Sequence, residues 1–110
     1  MNSLPPTTYT FNITSREQLA NTPFSHLTKY KSEIDTDLNI LFNYLQNILH
    51  ANMETPLLTL DGFPRSDIDV AAIRICRAKI IKLQNDYKWI NETLLDKIQL
   101  ELSKNNQLID

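Results

Sequence analysis

A chain of 110 residues is long enough for one small domain and too short for two with separate cores. Eleven basic residues against thirteen acidic ones give a net charge of -2, too balanced for the broad phosphate attraction on which nucleic-acid binders rely. A single glycine, Gly62, leaves few positions for the positive φ angles of tight β-turns, so composition favours helices over hairpins and an all-α fold.

Residues 1–21 carry Pro5, Pro6 and a run of Thr, Ser and Asn with few apolar side chains, and are expected to be flexible or extended. Ser15 followed by Gln18 has the spacing of a capping box and permits one short helical turn through Ala20. A first long helix is predicted from Thr22, as N-cap, with Pro23 at the first helical position, to about residue 50. Leu27, Ile34, Leu38, Leu41, Leu45 and Ile48 recur in steps of seven, four, three, four and three, which places them on one stripe, widened by Phe42 and Leu49. Lys29, Ser32, Glu33, Asp35, Thr36, Asn39 and Asn43 occupy the opposite, solvated face.

The connecting loop, about 51–65, is too apolar for an idle linker. Leu57, Leu58, Leu60 and Phe63 are expected to pack over the open end of the hairpin. Asp61 and Gly62 make a turn, Pro56 lies at the start of the segment, and Pro64 fixes the entry to the next helix. That second helix is predicted over about 66–104, capped by Ser66, with Asp69 at the third helical position and Asp67 adding negative charge beside the N-terminus. Ile73, Cys76, Ile80, Leu83, Tyr87, Ile90 and Leu94 then alternate steps of three and four, the pattern of a coiled-coil seam. Two amphipathic helices and one loop fold most simply into an antiparallel hairpin over residues 22–110, with the longer second helix projecting.

The stretch Glu54-Thr55-Pro56-Leu57, then Asp61-Gly62-Phe63-Pro64-Arg65-Ser66-Asp67-Ile68-Asp69-Val70, Arg74, Arg77 and Leu83-Gln84-Asn85-Asp86-Tyr87-Lys88 resembles a known family. These are the proteasome regulatory-particle assembly chaperones, which carry a helical N-terminal domain and a C-terminal PDZ domain. The resemblance covers roughly two thirds of the chain and fades before Thr22. It implies a chaperone that binds the C-terminal helical domain of one AAA ATPase subunit of the proteasome base, prevents its premature assembly, and works in the cytoplasm and nucleus. The PDZ half is expected to be absent from these residues, since one glycine in the inter-helix loop cannot form a carboxylate-binding loop.

Several side chains admit two readings. Arg65, Asp67 and Asp69 either form a polar contact surface for the partner or cap the helix and pin the loop. Arg74 and Arg77 either pair with Glu33, Asp35 or Asp37 of the first helix or grip a carboxylate on the ATPase. Ile68, Ala71, Ala72, Ile75 and Ala78 make a second, shallower apolar strip that receives the loop or a partner helix, and Trp89 either covers the N-terminal segment or anchors an interface. The partner-binding candidates are therefore Arg65, Asp67, Ile68, Arg74, Ile75, Arg77 and Trp89. Pro56, Leu57, Gly62, Phe63, Pro64, Ser66 and Asp69 are assigned to the loop and cap.

Cys76, on the seam, reads as a small buried hydrophobe, and a lone cysteine suits a reducing, intracellular setting. His26 and His50 bracket the first helix about 36 Å apart and cannot share a metal. With no nucleophile grouping, phosphate loop, metal set or cofactor motif, no enzymatic role is expected. No apolar run approaches the roughly 20 residues of a membrane span, and the N-terminus lacks a signal-peptide core. A monomer when alone is expected. The structural rival is a coiled coil that self-associates through the projecting helix. A nucleic-acid adaptor using Arg74, Arg77, Lys79, Lys82 and Lys88 is weaker, because these five point around the helix instead of forming one stripe.

Overall fold

The computed structural model describes residues 4–109, with side chains through Lys104; residues 1–3 of the expected N-terminal segment and residue 110 lie outside it. Three α-helices form: α1 (Arg16–Ala20), α2 (Phe24–Asn43) and α3 (Val70–Ile109). α2 and α3 run antiparallel, as their cross-links show: Cys76 Sγ reaches Leu41 O at 3.6 Å, while Lys31 Nζ donates to Asn91 Oδ1 at 3.1 Å. The fold is all-α, and the molecule is elongated, with extents of 68 × 27 × 23 Å.

The buried core follows the two stripes. Leu27, Ile34, Leu41 and Leu45 meet Ile73, Cys76, Ile80, Leu83 and Ile90, all fully buried, with Leu94 closing the upper end. Burial also pushes the Cys76 thiol above its ordinary pKa, which keeps it protonated and inert. Two expected stripe residues leave the core: Phe42, at the edge of the stripe and 38% exposed, and Ile48. A π-helical turn, Tyr44–Ile48, continues α2, and its wider ring is seen in Leu49 N donating to Tyr44 O at 3.0 Å. The extra residue rotates Ile48 outward, 61% exposed, and brings Leu49 in at 6%. His50 then takes a left-handed φ of 55° and reverses the chain.

The N-terminal segment is irregular, but it is packed against the helices. Ser15 caps α1 by accepting from Gln18 N at 3.0 Å, and the Gln18 side chain returns a bond by accepting from Thr14 N at 2.6 Å. Leu19 and Tyr9 are buried, and Leu4, Phe11 and Ile13 pack on the core at its edge. We call residues 4–14 the strap. Its main anchor is Asp37, one of the three acids of α2 expected as partners for Arg74 or Arg77. Instead Asp37 is fully buried and accepts hydrogen bonds from Thr8 N, Thr8 Oγ1 and Tyr9 N at 3.0, 3.1 and 2.8 Å. A carboxylate facing two successive backbone amides is better satisfied than one in an exposed ion pair.

Both helix starts shift from expectation. Thr22 does not cap α2, because its hydroxyl donates back to Gln18 O at 2.7 Å; Pro23 is the N-cap and accepts from Leu27 N at 3.1 Å. Nor does Ser66 cap α3. The helix begins at Val70, and Asp69 supplies the cap by accepting from Ala72 N at 3.0 Å, so residues 66–69 belong to the loop.

Candidate partner-binding surface

The loop between α2 and α3 folds into a miniature hairpin. Thr59 N donates to Phe63 O at 2.7 Å, Gly62 N to Thr59 O at 3.0 Å and Arg65 N to Leu57 O at 3.0 Å, with one antiparallel bridge between Leu58 and Pro64. Leu60, Asp61 and Gly62 form the tip. Gly62 sits at φ +87°, the left-handed position that closes a three-residue hairpin loop, which is why the chain's single glycine falls here.

Two arginines brace the loop, Arg65 from within it and Arg77 from α3. Arg65 donates through Nε and a terminal nitrogen to the two oxygens of Asp67, at 3.1 and 2.7 Å, and through its other terminal nitrogen to Pro56 O at 3.0 Å. This fork holds the Asp67 carboxyl below its usual range and raises the Arg65 guanidinium further. Arg77 reaches from α3 to Asn52 O, at 3.1 and 2.7 Å, and to Thr55 O at 2.6 Å. Arg77 is thus spent on backbone carbonyls of the loop and pairs with no acid of α2.

Pinned this way, the loop presents its apolar side chains to solvent. Leu57 and Met53 pack on the core, but Leu58 is 48% exposed, Phe63 68% and Leu60 108%. The expectation that all four leucine and phenylalanine side chains cover the open end of the hairpin therefore holds for Leu57 alone. The geometric reason is the tight hairpin: its backbone bonds to itself, so the tip projects instead of lying across the helices.

Of the second apolar strip on α3, Ala72 is buried and Ile68 packs on the core, whereas Ala71, Ile75 and Ala78 remain exposed. Arg74 is exposed, and its side chain makes no ion pair or hydrogen bond among the described residues. Asp69 faces its own helix as cap. Trp89 stands apart: fourteen residues beyond Ile75, it lies about 21 Å farther along α3. There the Arg16 guanidinium covers its ring at 4.8 Å and also approaches Glu92 at 3.8 Å. An open groove of about 340 Å³ beside this stack is lined by Arg16, Ala20, Trp89, Asp96, Lys97 and Leu100.

The structure therefore brings Arg65, Asp67, Arg74, Ile75 and the loop tip to one end of the molecule and leaves Trp89 on another surface. The exposure of Leu58 and Leu60 runs against their expected packing, because apolar character in a sequence signals burial before it signals exposure. The clue was available in Gly62, which marks a self-bonded turn. Among the described residues, no group of three His, Cys, Asp or Glu side chains is placed to hold a metal ion, and no helix is long and apolar enough to cross a membrane.

Comparison with known proteins gives this chain a family. The family model described as the Nas2 N-terminal domain matches residues 24–102. The probable 26S proteasome regulatory subunit p27 of Schizosaccharomyces pombe is 44% identical over 84 residues, 74% of this chain and 39% of that protein. The human 26S proteasome non-ATPase regulatory subunit 9 is 37% identical over 64 residues, 58% of this chain and 29% of that protein. The probable regulatory subunit p27 of Saccharomyces cerevisiae is 36% identical over 76 residues, 68% of this chain and 34% of that protein. The chain thus spans about two fifths or less of the length of these relatives, and no solved structure matches it. The family match takes in α2, the loop hairpin and α3 as far as residue 102, and the chain belongs to the Nas2 N-terminal domain family of 26S proteasome regulatory subunits.

Proposed function

We propose that this chain is the partner-gripping domain of a proteasome base assembly chaperone, and that it binds the C-terminal helical domain of one AAA ATPase subunit and so delays that subunit's assembly. Family membership supports the proteasomal setting. The observation that carries the gripping role is the loop end: Leu58, Leu60 and Phe63 are exposed on a backbone pinned by Arg65 and Arg77, next to exposed Ile75 and Arg74. Large apolar side chains on a preorganised support lose little entropy when a partner covers them, which is the property of binding hot spots. Arg74 supplies a charge-assisted contact at the edge, and the Arg65–Asp67 fork sets the base of the hairpin.

Titration calorimetry with isolated ATPase C-terminal domains tests this reading. A 1:1 complex with one of them is expected. Leu60→Ser with Phe63→Ser, or Arg65→Glu with Arg74→Glu, should abolish it while circular dichroism stays helical. Full affinity in both folded double variants would show that the grip lies elsewhere.

The self-associating coiled coil has one observation in its favour: Leu95, Ile98, Leu100 and Leu102 are exposed toward the far end of α3. Light scattering separates the two, because a mass that does not change with concentration counts against the dimer.

A further inference from the structure

The strap bonds to Gln18 of α1 at its C-terminal end, where Thr14 N donates to the Gln18 side chain and that side chain donates to Asn12 O, and to two carboxylates of the α2–α3 pair. Asp37 of α2 takes all three of its described hydrogen bonds from Thr8 and Tyr9. Asp86 of α3 accepts from the Tyr9 hydroxyl at 3.0 Å and pairs with Lys82 at 3.0 Å. Between these anchors Phe11 stacks on Tyr30, with ring centroids 4.3 Å apart and an interplanar angle of 10°, and Tyr9 meets the same ring edge-on at 6.3 Å. Lys82 lies 5.9 Å from the Tyr9 ring and completes its surroundings.

Two features separate this arrangement from an ordinary piece of core. The α2–α3 seam closes without the strap, because Leu27, Ile34, Leu41 and Leu45 meet Ile73, Cys76, Ile80, Leu83 and Ile90 across it. The buried carboxylate is also satisfied by the strap, so departure of the strap admits water to Asp37 and orphans no helix group. What the helices offer is a reader of extended peptide. Asp37 reads two successive amides and a hydroxyl, Asp86 reads the phenol of the next residue, and Tyr30 reads an aromatic ring two residues farther on.

We propose that the groove over Asp37, Tyr30 and Asp86 is a peptide-binding site for an extended segment of the pattern Thr-Tyr-x-aromatic, and that the strap is its occupant in cis. The strap leaves as a unit without unfolding the helical pair, and the same sequence supplied in trans takes its place. Covalent attachment holds the strap at an effective concentration of order millimolar, so a competing segment binds weakly until the strap is weakened. This site lies along the middle of the helices, away from the loop end, and does not depend on the ATPase reading.

The test uses the full chain carrying Tyr9→Ala and Phe11→Ala, which disables the strap and leaves the groove intact, and a synthetic peptide of residues 4–14 as probe. Calorimetry should show saturable 1:1 binding, at least about 10-fold tighter than to the unaltered chain, whose own strap competes. Adding Asp37→Ala should weaken the peptide by about 10- to 100-fold. A helical double variant that ignores millimolar peptide, or one whose affinity Asp37→Ala leaves unchanged, overturns the proposal. Native-state hydrogen exchange on the unaltered chain gives a second reading that does not rely on any variant folding. The Thr8 and Tyr9 amides should exchange through openings at least about 10-fold more frequent than those that release Ile80 and Leu83. Equal protection would mean that the strap opens only with the whole domain, and that the site does not exist as a separate entity.

Discussion

Arg77→Ala is the substitution that most directly probes how the loop end is built. Its guanidinium makes contacts of 3.1 and 2.7 Å to Asn52 O and 2.6 Å to Thr55 O, joining α3 to loop residues more than twenty positions earlier. A hydrogen bond from a charged donor contributes about 1.5–3 kcal/mol where water is excluded. Asn52 is exposed and Thr55 half-buried, so water replaces part of what is lost, and we expect a net cost of about 1–2 kcal/mol for the set. In a domain of this size that lowers Tm by roughly 4–10 °C. Arg77→Lys keeps the charge but cannot fork between two carbonyls, and should recover less than half of the loss. Arg74→Ala is the internal control, since that exposed side chain has no described contact, and its effect should stay within about 0.5 kcal/mol. Urea unfolding followed by far-UV circular dichroism measures all three. If Arg77→Ala and Arg74→Ala unfold at the same urea concentration, the Arg77 fork does not hold the loop and the reasoning is refuted.

Three further predictions bear on the fold. Asp69→Ala should cost about 1 kcal/mol through loss of the α3 cap, whereas Ser66→Ala should be near neutral; the reverse order in a denaturation series would restore Ser66 as the cap. Leu83→Ala removes a fully buried seam residue and should cost about 2–5 kcal/mol, and a loss below 1 kcal/mol by the same method would mean the seam is packed differently. The third concerns alkaline pH. Burial first, and then the hydrogen bond to Asp86, raise the Tyr9 phenol above the ordinary tyrosine value near 10. A raised folded pKa contributes stability that is fully present below that ordinary value and is lost as pH rises above it, because the unfolded chain ionises first. Tyr9→Phe should therefore be less sensitive to pH above about 10, by up to about 1.4 kcal/mol per pH unit. Parallel stability curves for the two proteins would show that Tyr9 does not titrate with unfolding.

Much of this architecture is written in local pattern. The alternation of three and four along Ile73, Cys76, Ile80, Leu83, Tyr87, Ile90 and Leu94 specifies the inward face of α3, with Tyr87 half-buried and the others buried, because helical period and apolar spacing coincide there. The Ser15–Gln18 spacing specifies α1 for the same local reason, and Gly62 marks the turn of the loop because only glycine adopts its φ without cost.

Other features arose from pairings that no local pattern records. Asp37 falls between Ile34 and Leu41 on the inward side of α2, but no local pattern names its partners, Thr8 and Tyr9, which lie twenty-nine and twenty-eight positions earlier. Arg77 reads as the partner of a carboxylate until the loop carbonyls of Asn52 and Thr55 come within its reach. Ile48 belongs to the stripe by spacing, but the π-helical turn moves it out, since one inserted residue shifts everything after it on the helix surface. Leu60 and Phe63 are apolar in sequence and exposed in space because the hairpin satisfies its own backbone and has no need to lie on the core. Sequence periodicity determined most of the residues that hold the two helices together, up to the π-helical turn. Only the tertiary structure decided which side chains remain for a partner, because that depends on hydrogen bonds and burial between residues far apart along the chain.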